Sequence, residues 1–182
     1  MSKTIAIFNG SPRQHGNTEM LAEAMMKGIR ETGNEAILFN LREMAINPCV
    51  GCFACMNGNG CVQIDDMQQI LEAYDDADVL VFGSPLQWLQ FTGPMKTMLD
   101  RLLTAVAQKN QEKGAFLLMT AGAPVEIFDN ADIVRYYQQF VQRMGWNDEG
   151  QLLAGGVGGP GYAVSAEDTD YIRQVYEIGK EL

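Results

Sequence analysis

Five short apolar runs alternate with stretches of helical period along the 182 residues, which restricts the chain to repeated βα units around a parallel sheet. The strands are predicted at 4–9, 36–39, 78–83, 114–120 and about 151–154. The run Val79, Leu80, Val81, Phe82 is continuous in apolar residues, as a strand covered on both faces requires. Between strands, apolar residues recur at helical spacing: Leu21, Met25 and Ile29; Met67, Ile70 and Tyr74; Met95, Met98, Leu99 and Leu102. Further helices are predicted over about 131–144 and 166–180. By analogy with other doubly wound α/β folds of five units the sheet order is 2-1-3-4-5, which puts ligands outside the carboxyl ends of the strands.

No repeat, linker or low-complexity segment interrupts this pattern, and one domain is expected over 1–182. A formal net charge of −10 argues against nucleic acid and anionic membrane surfaces as partners. The first apolar run, 5–8, is too short for a signal-peptide core, and no run of about 18 apolar residues exists to span a bilayer. A cytoplasmic location is expected.

Directly after the first strand comes Gly10-Ser11-Pro12-Arg13-Gln14-His15-Gly16-Asn17-Thr18, with a helix beginning at its end. Such a loop offers free N–H groups and the positive end of a helix dipole to a phosphate. Ser11, Asn17 and Thr18 add neutral donors, Arg13 a charged one, and Gly16 lets backbone approach closely. The simpler alternative is that Asn17 or Thr18 only caps the helix. A Walker loop is excluded by the missing Lys, and a dinucleotide fingerprint by the missing G-x-G-x-x-G, so tightly bound NAD is disfavoured. His15, the sole histidine, is expected to flank the phosphate rather than act as a base.

Gly-Ser-Pro-Arg followed by Gly-Asn-Thr resembles the NADPH-dependent FMN reductase group of flavodoxin-like proteins. Gly83-Ser84-Pro85 with Lys96, Asp100 and Arg101 is similar to a second motif of that group, a strand-3 loop followed by a Lys-x3-Asp-Arg helix. The resemblance implies a flavodoxin-like three-layer sandwich with FMN, its phosphate on Ser11, Arg13, Gly16, Asn17 and Thr18. It also implies that Ser84, Pro85, Leu86, Gln87 and Trp88 border the isoalloxazine, with further flavin contacts at Thr120, Ala121 and Gly122. Gln87 stands where the group has an aromatic residue, and Trp88 next to it is read either as a flavin-facing surface or as a packing residue. No side chain is assigned a catalytic role, because the flavin carries the chemistry.

All four cysteines, Cys49, Cys52, Cys55 and Cys61, fall in a Gly-bearing loop, 46–63. Clustering over so short a span argues for metal or redox chemistry rather than structural disulfides. The C-x2-C-x2-C-x5-C spacing suits a [4Fe–4S] cluster and resembles the iron–sulfur flavoproteins of the same group. A zinc site and free redox-active thiols are the rival readings.

The expected function is therefore an FMN-dependent NAD(P)H oxidoreductase passing electrons to a small acceptor such as a quinone, nitro compound or flavin. The alternative is an iron–sulfur flavoprotein exchanging electrons among cluster, FMN and a redox protein. The resemblance implies a homo-oligomer. Loops 129–132 and 155–162 are placed near the mouth of the site, without assigned roles.

Overall fold

In the computed structural model, residues 2–108, 112–128, 132–158 and 165–182 are described. Of the loops expected at the site's mouth, 129–131 and 159–162 lie outside the described residues. Five parallel strands, β1 (Thr4–Asn9), β2 (Glu35–Asn40), β3 (Val79–Pro85), β4 (Gly114–Thr120) and β5 (Asn147–Ala154), form one sheet of order β2-β1-β3-β4-β5. The expected order is thus found, in a flavodoxin-like α/β arrangement.

Successive strand residues point to opposite faces, and each face buries its own cluster. Ile5, Ile7, Val79, Val81, Phe116 and Leu118 pack under α1 (Asn17–Glu31) and α7 (Tyr171–Glu181). Ala6, Phe8, Leu80, Phe82, Leu117 and Met119 pack under α2 (Met67–Asp76), α3 (Gly93–Arg101) and α6 (Asp132–Met144). The short helices α4 (Leu103–Gln108) and α5 (Val125–Phe128) complete the set. Among the described residues no helix is long and apolar enough to cross a membrane.

Differences from the sequence reading have local causes. β5 begins at Asn147, earlier than expected, because Asn147, Asp148 and Glu149 are exposed at the sheet edge and give no apolar signal. α7 begins at Tyr171, after a separate 3-10 turn, Ala166–Asp168, in which the Ser165 hydroxyl accepts from the Glu167 N–H. Helix α5 was not expected, its four residues being too few to establish a period.

Candidate functional site

The carboxyl ends of β1, β3 and β4 open together on a cleft of about 160 Å³. Its lining includes Ser11, Arg13, Gly16, Asn17, Thr18, Pro85, Leu86, Gln87, Thr120, Ala121 and Gly122, which brings together every residue assigned to the cofactor except Ser84 and Trp88. Pro12, Val157 and Gly158 line it as well. Pro12 lies inside the phosphate loop, and Val157 and Gly158, after β5, belong to the 155–162 loop that the sequence placed near the mouth of the site without a role.

The loop after β1 is held from within and from below. The buried Asn9 carboxamide accepts from the Ser11 N–H at 3.0 Å and donates to Asn40 Oδ1 at 2.9 Å. Gly10 donates to the Gly83 carbonyl at 2.7 Å, and a Cβ on Gly10 would stand 2.7 Å from Met95 Cβ, so only glycine lets the loop lie against α3. Arg13 N–H donates to Ser11 Oγ at 3.2 Å.

α1 starts with Gly16 as its N-cap, and among the described residues no side-chain cap hydrogen bond is made there. The capping alternative for Asn17 and Thr18 is therefore not what the loop adopts, and the end of the helix dipole faces the cleft unneutralised by a cap. The Asn17 carboxamide is engaged elsewhere. It donates to the Gly158 carbonyl at 3.2 Å and accepts from the Ala166 N–H at 2.9 Å, tying the exit of β5 to α1. Thr18 and Thr120, both buried, place their hydroxyl oxygens 2.7 Å apart across the cleft floor.

Glu19 and Arg42 form a pair at 2.9 Å beside the loop. Burial raises the Glu19 pKa, but hydrogen bonds from Arg42 and from the His15 N–H outweigh it and leave the carboxyl below its ordinary value. His15 itself adopts φ of 53°, with its backbone turned to Glu19.

The second wall comes from the exit of β3. Leu86 N–H donates to the Thr120 carbonyl at 2.8 Å, and Gln87 and Gln90 exchange two backbone hydrogen bonds of 3.0 Å. This closes a two-residue hairpin with Trp88 and Leu89 at its tip, both at positive φ (46° and 65°). Trp88 is 99% exposed and is not among the residues lining the cleft. Ser84 is buried below the cleft, where its hydroxyl donates to the Pro85 carbonyl and accepts from the Thr92 N–H at 3.3 Å.

The four cysteines share a second cavity, lined also by Phe53, Asp100, Arg101, Leu103 and Thr104. Cys49 and Cys52 are exposed, Cys55 and Cys61 half-buried, and all four are free thiols. Among the described residues no three His, Cys, Asp or Glu side chains converge on a point as a single metal ion would require. The loop is stitched at its base: Asp65 accepts from the Asn47 N–H at 3.0 Å, and Gln63 donates to the Pro48 carbonyl at 3.1 Å. Arg101, only 2% exposed, pairs with Asp65 at 2.8 Å and donates to the Asn47 carbonyl at 2.8 Å and to Cys61 Sγ at 3.3 Å. The hydrogen bond from Arg101 holds the Asp65 carboxyl far below the usual carboxylate range despite its burial.

Residues 3–133 match the family described as NADPH-dependent FMN reductase. The chain belongs to that family. An iron–sulfur flavoprotein of Archaeoglobus fulgidus is 35% identical over 101 residues, covering 56% of this chain and 46% of that protein. The FMN reductase-family chain thus spans about half the length of the curated relatives of this kind that it matches. A candidate NAD(P)H-dependent FMN-containing oxidoreductase of Bacillus subtilis is 26% identical over 160 residues, covering 84% of each. In fold, this family member is similar to an NAD(P)H:quinone oxidoreductase from Methanothermobacter marburgensis (TM-score 0.80, 19% identity, covering 100% of this chain and 96% of that one).

Both groups that these names suggest can be tested against the family member's own residues. For FMN, the uncapped start of α1, Arg13 and Ser11 line one cleft, and a Cβ on Gly16 would stand 3.2 Å from Arg13 Cβ, crowding the loop. That donor set fits a phosphate. For a cluster, four thiols line one cavity beside a buried cation whose Nε has no hydrogen-bond partner among the described residues. An anionic group held by thiolates fits that environment.

Proposed function

We propose that this FMN reductase-family chain binds FMN in the cleft and passes reducing equivalents from NAD(P)H to a small acceptor such as a quinone, a nitro compound or a free flavin. The observation that carries this reading is the uncapped 15-residue helix α1, whose N-terminus opens on a cleft together with Arg13 and Ser11. Flavin, when bound, supplies hydride acceptance and electron delivery. The residues do the rest. Ser11, Arg13, Thr18 and the N–H groups of 16–18 hold the phosphate; Pro85, Leu86, Gln87 and 120–122 wall the ring side. Asn17 acts through the exit of β5, and Ser84 through the Thr92 turn, rather than by direct contact. With no side chain required as acid or base, the lone His15 is left outside the chemistry.

A second reading is an electron-transfer flavoprotein with a [4Fe–4S] cluster on Cys49, Cys52, Cys55 and Cys61. The shared cavity and its buried Arg101 favour it. In both readings the chain forms a single cytoplasmic domain that self-associates, and the fully exposed Trp88 is the side chain best placed for contact with a second copy.

The test is an absorption spectrum of anaerobically purified protein with iron and sulfide analysis, followed by NADH and NADPH oxidation with quinone. Flavin bands and turnover without iron support the reductase. Flavin with stoichiometric iron and sulfide but negligible NAD(P)H oxidation supports electron transfer. Protein that takes up no FMN overturns both.

A further inference from the structure

Arg101 is the least exposed charged residue among the described ones. A guanidinium that is 98% removed from water is destabilising unless its donors are met, and isolated buried charges are rarely tolerated. Its partners are instructive. Asp65, the Asn47 carbonyl and Cys61 Sγ all belong to one chain segment, the cysteine-bearing loop and its base, while Arg101 itself ends α3. The rigid helix therefore grips the loop at three points, and one of them is a cysteine sulfur.

Cys61 is thereby set apart from the other three thiols. Among the described residues it is the one cysteine whose sulfur accepts from a cationic N–H donor, whereas Cys49 and Cys52 are exposed. Among the described residues the guanidinium also has one donor, Nε, left without a partner although buried, on a residue that lines the cysteine cavity. Nε is thus a donor still available to a group held in that cavity.

We infer that Arg101 is a positioning residue for the redox centre of the cysteine loop: held by Asp65, it fixes Cys61 at the cavity and raises the reduction potential of the centre built there. This rests on the iron–sulfur reading. Reduction adds negative charge, and a cationic hydrogen-bond donor on a ligand sulfur favours the more negative state, so the potential rises with the donor present.

The test compares wild type, Arg101→Lys and the double variant Asp65→Asn/Arg101→Gln after anaerobic reconstitution with iron and sulfide. The double variant removes both charges together, so no buried charge is stranded by it. FMN binding in the first cleft reports that each variant is folded. Iron and sulfide content and the midpoint potential from an EPR-monitored redox titration are the readouts. The expected result is a potential that falls from wild type through Arg101→Lys to the double variant, because Lys keeps the charge but not the planar fork. Loading lost in the double variant and regained in Arg101→Lys also supports the assignment. If all three load fully and titrate at one potential, the inference is overturned and the cluster stands. If wild type folds, binds FMN and takes up no cluster, the iron–sulfur reading falls and the inference with it.

Discussion

Replacing Thr18 by Val probes the contact that joins the phosphate loop to the far side of the cleft. The Thr18 and Thr120 hydroxyl oxygens lie 2.7 Å apart, and the residues are 1% and 3% exposed. One hydroxyl donates to the other. Val keeps the shape of Thr but leaves the Thr120 hydroxyl buried without that partner, which costs about 1–3 kcal/mol. Thr120→Val strands Thr18 in the same way. Removing both hydroxyls leaves nothing unsatisfied, so Thr18→Val/Thr120→Val should cost less than the sum of the singles, with a coupling of about 1 kcal/mol. Urea unfolding of the FMN-free protein at constant m-value measures all four corners of the cycle. Each kcal/mol should appear as a melting shift of roughly 2–4 °C for a chain this long. Thr18→Val should also weaken FMN by about fivefold, the loss of roughly one neutral hydrogen bond to the phosphate, read by flavin fluorescence. Single-variant costs that add within about 0.5 kcal/mol would refute a shared hydrogen bond.

Glu19, with its carboxyl depressed by Arg42 and His15, contributes stability above its unfolded-state pKa of about 4.3 and loses it as pH falls through the folded value. Glu19→Gln should therefore lower the urea midpoint at pH 7 and flatten its decline below about pH 5; parallel pH profiles for the two proteins would contradict this. At the hairpin tip, Trp88→Asn with Leu89→Gly replaces two side chains at positive φ with the residues a type I′ turn prefers. A gain of about 1–2 kcal/mol is expected in thermal melts of dilute protein, and no gain would mean that Trp88 and Leu89 are held by contacts outside their own chain. Gly28→Ala would put a Cβ 2.1 Å from the Tyr176 carbonyl oxygen, forcing α1 and α7 apart. A loss of about 3 kcal/mol is expected by urea unfolding, and a loss below about 1 kcal/mol would show that the helices can separate cheaply.

The sheet was legible because both of its faces are buried. Val79, Leu80, Val81 and Phe82 must all be apolar when alternate residues meet separate helical layers, and no other arrangement makes such use of them. The polar start of β5 escaped notice for the converse reason, since an exposed edge makes no demand on Asn147, Asp148 or Glu149. Loop 11–18 announced the cleft through residue types needed wherever backbone meets a phosphate. What each residue does was less legible: Asn17 spends a side chain suited to a ligand on Gly158 and Ala166, partners distant in sequence, and Ser84 spends its hydroxyl on Pro85 and Thr92 of its own loop. The Lys-x3-Asp-Arg pattern divides in the same way. Lys96 and Asp100 pair on the surface of α3, while Arg101, one residue on, turns inward to Asp65. Adjacent charges at helical spacing face different ways, and sequence alone does not say which is buried.

Helix α3 gives that last distinction its meaning. At its start the Thr92 hydroxyl accepts from the Met95 N–H and donates to the Gly10 carbonyl at 2.6 Å, so the helix is fastened to the phosphate loop. At its end Arg101 is fastened to Asn47, Cys61 and Asp65. Nine residues at about 1.5 Å each separate the ends by roughly 13 Å. A hydrogen-bonded helix resists stretching far better than the glycine-bearing loop 46–63 could, so the base of that loop keeps its distance from the cleft whatever its exposed half does. The cost of burying Arg101 follows from this requirement: a lysine's single ammonium cannot reach three acceptors in one plane, and an apolar residue would remove all three hydrogen bonds by which the end of α3 holds Asn47, Cys61 and Asp65.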